Sequence, residues 1–144
     1  MPHITSCICK KDEHRTTILL VEDEPFVLDA TSRILHSAGF EVLVAADARD
    51  AKRVYEQHRA QINLVITDLV LPDSSGRQLA QDIRAASPEI PILLTSGYGE
   101  AECSPESLDH GTHYLPKPYS KVNLVQKIVE ITGRPLQRVA KQTG

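Results

Sequence analysis

Short apolar runs alternate with longer amphipathic segments along most of this chain, and this alternation limits its fold more than any other feature. Five runs are nearly continuously apolar, as expected for strands that are covered on both faces. Segments with helical period lie between the first four. Together they predict an α/β fold, a doubly wound five-stranded parallel sheet with helices on both faces. The predicted strands span Thr17–Val21, Glu41–Ala45, Leu64–Thr67, Ile90–Thr95 and Thr112–Leu115.

Helix boundaries are marked by residues that favour helix starts. Pro25 suits the first turn of a helix, and Asp47 and Ser120 are expected N-caps for two later ones. The connector from Gly97 to Gly111 is polar and contains Pro105, which disfavours a regular helix. We therefore predict at most a short or frayed helix in that connector.

The length of 144 residues predicts a single domain, residues 16–132, preceded by a flexible leader (1–15) and followed by a tail (133–144). The net charge of −3 argues against a nucleic-acid surface, which would need a basic excess. No apolar run approaches the roughly 18 residues of a membrane span, and no signal peptide is visible. These features predict a cytoplasmic protein.

Cysteine usage points to no special chemistry. Three cysteines are an odd and small number, and a chain of this length does not require disulfides for stability, so we expect no disulfide framework. Cys7 and Cys9 in the leader are one residue apart, with His3 and His14 nearby, and this spacing does not match a closed tetrahedral metal site. We read the leader as a disordered segment.

Polar and charged residues follow the predicted strands where their carboxyl ends meet at one edge of the sheet. Glu22 and Asp23 follow the first strand, Asp68 the third, Ser96 the fourth and Lys117 the fifth. Crowded carboxylates repel one another unless a hard divalent cation such as Mg²⁺ lies among them. A carboxylate held beside a metal, an ammonium and a hydroxyl can accept a phosphoryl group and form an aspartyl phosphate.

Four segments in this order and spacing resemble the receiver domain of two-component response regulators. They are ILLVEDE (18–24), NLVITDLVLPDSSG (63–76), IPILLTSGYG (90–99) and YLPKP (114–118). The resemblance covers residues 16–132. It implies a flavodoxin-like receiver fold with strand order 2-1-3-4-5.

The resemblance also implies a phosphoacceptor and a metal site. Asp68 matches the phosphoacceptor aspartate. Glu22 and Asp23 match the acidic pair that holds Mg²⁺ (or Mn²⁺), with Asp23 the direct ligand and Glu22 acting through water. Asp68 itself and the backbone carbonyl of Val70 match the remaining protein ligands.

Four further positions carry over from the family. Ser96 matches the switch hydroxyl that binds the phosphoryl group, and Lys117 matches the lysine that pairs with it. Tyr114 matches an aromatic rotamer switch, although it could be an ordinary core residue. Pro118 matches a proline held in a cis peptide. Thr95 competes with Ser96 for the switch role, and we favour Ser96 because it lies five positions after Pro91.

The resemblance implies signalling and not an enzyme acting on an outside substrate. A sensor histidine kinase or a histidine phosphotransfer protein would donate phosphate to Asp68, and output would pass by contact with a downstream protein. A pseudo-receiver that never handles phosphate is the alternative, and the complete constellation counts against it. A phosphohydrolase would want a second acid two residues after its nucleophile, where this chain has Val70.

Overall fold

The computed structural model describes residues 15–96 and 111–133. The described residues form five strands and four helices in an alternating order. The strands are β1 (Thr17–Val21), β2 (Glu41–Ala45), β3 (Leu64–Asp68), β4 (Ile92–Ser96) and β5 (Thr112–Pro116). The helices are α1 (Pro25–Ser37), α2 (Ala48–His58), α3 (Gly76–Ala86) and α4 (Lys121–Thr132).

All strand pairs are parallel, and the sheet order is β2-β1-β3-β4-β5, as predicted. Strand side chains alternate between two apolar layers. On one side, Leu20, Ile66 and Leu93 pack with α1 and α4; we call this the α1/α4 face. On the other side, Leu19 and Leu94 pack with α2 and α3; we call this the α2/α3 face. The sheet is therefore doubly wound, with its core in two layers.

The predicted strands agree with the observed ones to within two residues. β3 extends one residue further, to Asp68, because the backbone N–H of Leu69 still bonds to the carbonyl of Thr95 (2.7 Å). β4 begins at Ile92 and not at Ile90. The intervening Pro91 has no N–H to contribute to the ladder. The strand that ends the sheet, β5, runs one residue beyond the prediction, to Pro116.

Helix starts follow the sequence signals. α1 begins at Pro25, and the side chains of Asp47 and Ser120 accept from the backbone N–H three residues on, at Asp50 and Asn123. Each side chain satisfies a donor that the helix leaves unpaired. Both predicted caps are confirmed.

A second carboxylate also binds the start of α2. Asp73, in the loop after β3, accepts from the backbone N–H groups of Ala48 (2.8 Å) and Arg49 (3.0 Å). These bonds lower the pKa of Asp73, chiefly through the bond from Ala48. The loop that leaves β3 is thereby tied to the first turn of α2.

Arg84 ties the end of α3 to the far part of the sheet. Its guanidinium donates to the carbonyl of Ile90 (3.1 Å) and to the hydroxyl of Thr112 (2.8 Å). The neighbouring carbonyl of Gly111 accepts from the N–H of Ile92 (3.0 Å). The point where the chain enters β5 is therefore fixed to both α3 and β4.

The predictions for the leader, the tail and the 97–111 connector fall outside the described residues, apart from Arg15, Gly111 and Gly133. Within residues 15–96 and 111–133, no helix has the length and apolar character that crossing a bilayer requires.

Candidate functional site

The carboxyl edge of the sheet brings four polar side chains together on the α1/α4 face. Glu22 follows β1, Asp68 and Thr95 lie at the ends of β3 and β4, and Lys117 follows β5. Each stands two residues after a strand residue that packs in the α1/α4 layer. Strand alternation thus directs all four to the same side of the sheet.

Lys117 joins the two buried carboxylates of this group. Its Nζ lies 2.7 Å from Glu22 Oε1 and 2.7 Å from Asp68 Oδ1. The Lys117 side chain is 20% exposed, and those of Glu22 and Asp68 are 5% and 7% exposed. Burial alone would lower the pKa of Lys117, but its hydrogen bonds to Asp68 and Glu22 outweigh burial and raise it. The ammonium is therefore charged at any physiological pH.

Glu22 is held in a less favourable environment. Burial raises the pKa of its carboxyl, the hydrogen bond from Lys117 opposes that rise, and the charge of Asp68 adds to it. The other oxygen, Oε2, accepts from the backbone N–H of Glu24 (3.2 Å). Two donors therefore hold the buried Glu22 carboxylate.

Asp23 completes a set of carboxylates that could hold a metal. Oxygen atoms of Glu22, Asp23 and Asp68 lie within 4.8 Å of one another, and Asp23 is exposed while the other two are buried. Three carboxylates against the single ammonium of Lys117 leave a formal charge of −2. An all-oxygen donor set with this charge fits a hard divalent cation such as Mg²⁺.

The hydroxyl that reaches Asp68 belongs to Thr95 and not to Ser96. Thr95 Oγ1 donates to Asp68 Oδ1 (2.9 Å), and both residues are buried. Asp68 and Thr95 are register partners in the β3–β4 ladder, so their side chains share a face. The preference for Ser96 at this contact was therefore wrong, because counting from Pro91 put the register one residue out.

Ser96 instead faces the other side of the sheet. Its hydroxyl forms a hydrogen bond with the hydroxyl of Tyr114. Tyr114 is half-buried and packs in the α2/α3 layer. Ser96 also accepts, through its carbonyl, from the backbone N–H of Lys117 (2.9 Å). Ser96 and Tyr114, the predicted switch pair, are therefore in contact with each other, but on the face of the sheet opposite to the carboxylate cluster.

The remaining predicted site residues lie near the same edge. The Lys117–Pro118 peptide is cis, as predicted. Val70 follows β3, and 58% of its surface is exposed. Its backbone forms an isolated antiparallel β-bridge with Ser75, in the loop before α3. The roles assigned to Val70, Tyr114 and the acidic pair stay predictions.

Gly76 is a site residue that we did not single out from the sequence. A Cβ at this position would lie 2.1 Å from the carbonyl oxygen of Asp68, a distance that no packing tolerates. The backbone N–H of Gly76 bonds to the carbonyl of Leu69 (2.8 Å). The start of α3 therefore rests directly on the backbone of Asp68. This contact could not be predicted from the sequence, because a single Gly eight residues after an Asp has no general structural meaning.

Comparisons with known proteins agree with this geometry. A family model described as the response regulator receiver domain matches residues 18–129. The sensor kinase CckA of Brucella abortus is 34% identical over 118 residues, which cover 80% of this chain and 12% of that protein. The response regulator RppA of Synechocystis is 34% identical over 126 residues, which cover 87% of this chain and 52% of that protein. The chain spans about half the length of RppA and much less of CckA.

Solved structures extend the likeness to three dimensions. A response regulator receiver domain protein from Clostridium thermocellum has a TM-score of 0.76 and 27% identity, covering 83% of this chain and 95% of that one. A CheY-like receiver domain protein from Methanospirillum hungatei has a TM-score of 0.72 and 32% identity, with coverage of 83% and 94%. The family match covers most of the chain, and the fold and strand order agree with it. This chain belongs to the response regulator receiver domain family.

Proposed function

We propose that this chain is a phosphoacceptor in a two-component or phosphorelay pathway, with Asp68 as the residue that takes the phosphoryl group. The observation that carries the proposal is the setting of Asp68. Its buried carboxylate lies against the Lys117 ammonium and the Thr95 hydroxyl, and within one cluster with Glu22 and Asp23. A carboxylate in that setting has donors ready for the oxygens of an incoming phosphoryl group.

In the proposed transfer, a carboxylate oxygen of Asp68 attacks the phosphorus of a phosphohistidine. The new P–O bond forms as the P–N bond breaks, and the histidine nitrogen leaves with the bond electrons and takes up a proton. Lys117 and Thr95 then donate to oxygens of the transferred group. Glu24, through its backbone N–H, holds Glu22 in position beside the reacting carboxylate.

The proposed cofactor is Mg²⁺ (or Mn²⁺), bound by Asp23, Asp68 and the backbone carbonyl of Val70, with Glu22 acting through water. Bound there, such an ion would offset negative charge on the phosphoryl oxygens. The formal charge of −2 on the described cluster supports this assignment, because a divalent cation neutralises it.

The proposed donor is a sensor histidine kinase or a histidine phosphotransfer protein, and the proposed output is contact with a downstream protein. The names of the relatives, a sensor kinase and a response regulator, support this pathway class. The negative net charge favours protein partners over nucleic acid. We propose that the chain works in the cytoplasm as a signalling module and not as an enzyme with its own substrate.

The test is phosphorylation by a small donor. The protein is incubated with acetyl phosphate and Mg²⁺, and its intact mass is measured. We expect a gain of one phosphoryl group that disappears with a chelator and in Asp68→Ala. Asp82→Ala is the matched control, because Asp82 lies on α3 and pairs with Lys52 away from the site. An unmodified wild type, or a full gain in Asp68→Ala, would contradict the proposal and favour a pseudo-receiver.

A further inference from the structure

The loop that leaves β3, residues 69–75, runs out from the carboxylate cluster and returns to it; we call it the β3–α3 loop. It begins after Asp68 and ends where Gly76 packs against the backbone of Asp68, with the N–H of Gly76 bonded to the carbonyl of Leu69 (2.8 Å). The loop carries Val70, whose backbone carbonyl is a proposed ligand of Mg²⁺. The position of that ligand therefore depends on the conformation of the β3–α3 loop.

The β3–α3 loop is a narrow hairpin, with Val70 near its base and Asp73 at its tip. Val70 pairs with Ser75 in an antiparallel bridge. The hydrogen bonds of this bridge are made by flanking residues, such as the bond from the N–H of Leu71 to the carbonyl of Ser74 (3.1 Å). In an antiparallel ladder, a pair of this kind does not use its own N–H and C=O groups for pairing. The bridge therefore leaves the carbonyl of Val70 available as a ligand.

Asp73 attaches the tip of this hairpin to α2. Its two carboxylate oxygens accept from the backbone N–H groups of Ala48 (2.8 Å) and Arg49 (3.0 Å), the first two residues of α2. Asp47 accepts from the N–H of the third residue, Asp50 (2.8 Å). These N–H groups have no partner within the helix, so two carboxylates satisfy them. Asp47 adjoins α2 in the chain, whereas Asp73 reaches it from the β3–α3 loop.

Losing the bonds between Asp73 and α2 should move the carbonyl of Val70 without unfolding the loop. The side chains of Leu69 and Leu71, on either side of Val70, are buried in the α2/α3 layer and keep the base of the hairpin in place. The tip is exposed, and once it is released from α2 it can adopt further conformations. Mg²⁺ demands near-ideal octahedral geometry, so even a small displacement of one ligand weakens binding.

We propose that Asp73 is a positioning residue for the metal site, and that its bonds to α2 hold the β3–α3 loop in the conformation that presents the Val70 carbonyl to Mg²⁺. The inference rests on the proposed function, since it needs Val70 to be a ligand. Without these bonds the loop spends only part of its time in this conformation, and the apparent dissociation constant rises in inverse proportion to that fraction. The fold as a whole loses less stability, because the released loop gains conformational entropy.

The first test measures the affinity of the full chain for Mg²⁺. Amide resonances of the ¹⁵N-labelled protein are followed by NMR during a titration with MgCl₂. We expect Asp73→Ala to raise the dissociation constant roughly tenfold, the lower end for residues that orient a metal ligand. Asp73→Asn keeps one acceptor oxygen and should give a value between those of Asp73→Ala and wild type. An unchanged dissociation constant in Asp73→Ala would overturn the positioning role.

Asp47→Ala is the matched control, because it removes the other carboxylate at the start of α2 and leaves the bonds of Asp73 in place. It should lower Tm, as the loss of an N-cap does, without weakening Mg²⁺ binding. If Asp47→Ala weakened Mg²⁺ binding as much as Asp73→Ala, the effect would come from a disturbed α2, and the proposal would be wrong.

The second test follows the β3–α3 loop without metal. The N–H of Leu71 bonds across the hairpin to the carbonyl of Ser74, so its hydrogen exchange reports opening of the hairpin. In the presence of a chelator, we expect this N–H to exchange faster in Asp73→Ala than in wild type and at the wild-type rate in Asp47→Ala. Equal exchange rates in Asp73→Ala and wild type would contradict the holding of the loop by Asp73.

The two proposals can fail separately. If Mg²⁺ binds Asp73→Ala as tightly as wild type, this inference fails and the proposed function stands. If Mg²⁺ binds neither protein, the proposed metal site fails, and the positioning role fails with it. If Asp73→Ala binds Mg²⁺ more weakly but acetyl phosphate does not modify wild type, the inference holds and the proposed phosphoacceptor role fails. Circular dichroism and thermal unfolding establish beforehand that each variant is folded.

Discussion

The two faces of the sheet differ sharply at its carboxyl edge. The α1/α4 face carries buried ions, the carboxylates of Glu22 and Asp68 against the ammonium of Lys117. The α2/α3 face carries the neutral hydroxyl pair of Ser96 and Tyr114. Buried ions depend strongly on their partners for stability, whereas a neutral hydroxyl pair contributes little and can be exchanged at low cost. The buried ions on the α1/α4 face are therefore suited to binding charged groups. The hydroxyl pair on the α2/α3 face can be broken at a lower cost in free energy.

The largest expected effect comes from disrupting the close contact between Gly76 and the backbone of Asp68. Gly76→Ala places a methyl group 2.1 Å from the carbonyl oxygen of Asp68, and no side-chain rotation relieves a clash with backbone. We expect a loss of about 3 kcal/mol in the free energy of unfolding, at the upper end for overpacking. Urea unfolding measures it, and acetyl phosphate should modify the variant poorly even where it is folded.

Gly133→Ala is the matched control for that change. Gly133 ends α4 with φ of 68°, and among the described residues no atom beyond its chain neighbours lies within 4 Å of the added methyl group. Only backbone strain opposes this substitution, which costs about 1–2 kcal/mol. Equal losses in the two variants would contradict the close contact between Gly76 and Asp68.

The next largest effect comes from removing the ammonium that separates the two carboxylates. Lys117→Met leaves Glu22 and Asp68 buried without it. Losing one partner of a buried ion pair costs about 3–5 kcal/mol. Because Lys117 is 20% exposed, we expect about 2 kcal/mol, measured by urea unfolding in the presence of a chelator.

Magnesium should stabilise this variant more strongly than it stabilises the wild type. A cation that binds only the folded chain stabilises it by RT ln(1 + c/Kd), where c is the Mg²⁺ concentration, so tighter binding gives more stabilisation at a given concentration. We expect Mg²⁺ to restore more stability to Lys117→Met than it adds to the wild type, because the variant cluster is more negative. A Mg²⁺ response lost in Lys117→Met but kept in wild type would contradict the charge argument.

A smaller effect compares the two hydroxyls of β4 directly. Thr95→Val removes a hydrogen bond to the Asp68 carboxylate, and Ser96→Ala removes one to a neutral phenol. Bonds to charged groups contribute about 1.5–3 kcal/mol and neutral ones about 1 kcal/mol. We therefore expect Thr95→Val to destabilise the chain more than Ser96→Ala in thermal unfolding. A larger destabilisation by Ser96→Ala than by Thr95→Val would contradict the energetic difference that we infer between the two faces.

The smallest predicted effect concerns Asp73, which ties the loop after β3 to α2. Asp73→Asn keeps one of the two acceptor oxygens and should lower Tm slightly at pH 7. The folded-state pKa of Asp73 is lowered, so its contribution is present above the ordinary value of 3.8 and is lost as pH falls through the lower folded value. The Tm gap between Asp73→Asn and wild type should therefore narrow below about pH 4, as thermal scans over pH can measure.

The fold could be predicted from sequence because its signals are local. Strands covered on both faces read as apolar runs, and the caps at Asp47 and Ser120 read as helix starts. The exact strand ends depended on the ladder itself. Asp68 belongs to β3 because of a bond between Leu69 and Thr95, and no local residue preference indicates that bond.

The sequence predicts the charged residues of the candidate site correctly, but it does not predict which hydroxyl contacts Asp68. Glu22, Asp68 and Lys117 meet as expected because each directly ends or follows a strand. Alternation from the buried Leu93 directs Thr95, and not Ser96, to the same face as Asp68, so strand period is a better guide to this hydroxyl than the distance from Pro91. The bond between Ser96 and Tyr114 depends on the β4–β5 register, which the sequence does not encode locally.

The bonds of Arg84 bear on how this chain can change over evolutionary time. Arg84 and Gly111 fix the entry into β5, and the carbonyl of Ser96 fixes the exit from β4. The span that residues 97–110 must bridge is therefore set by the sheet and not by their own sequence. Connections between fixed ends tolerate substitution and lengthening at small entropic cost. We therefore expect insertions in that stretch to leave the carboxylate cluster in place.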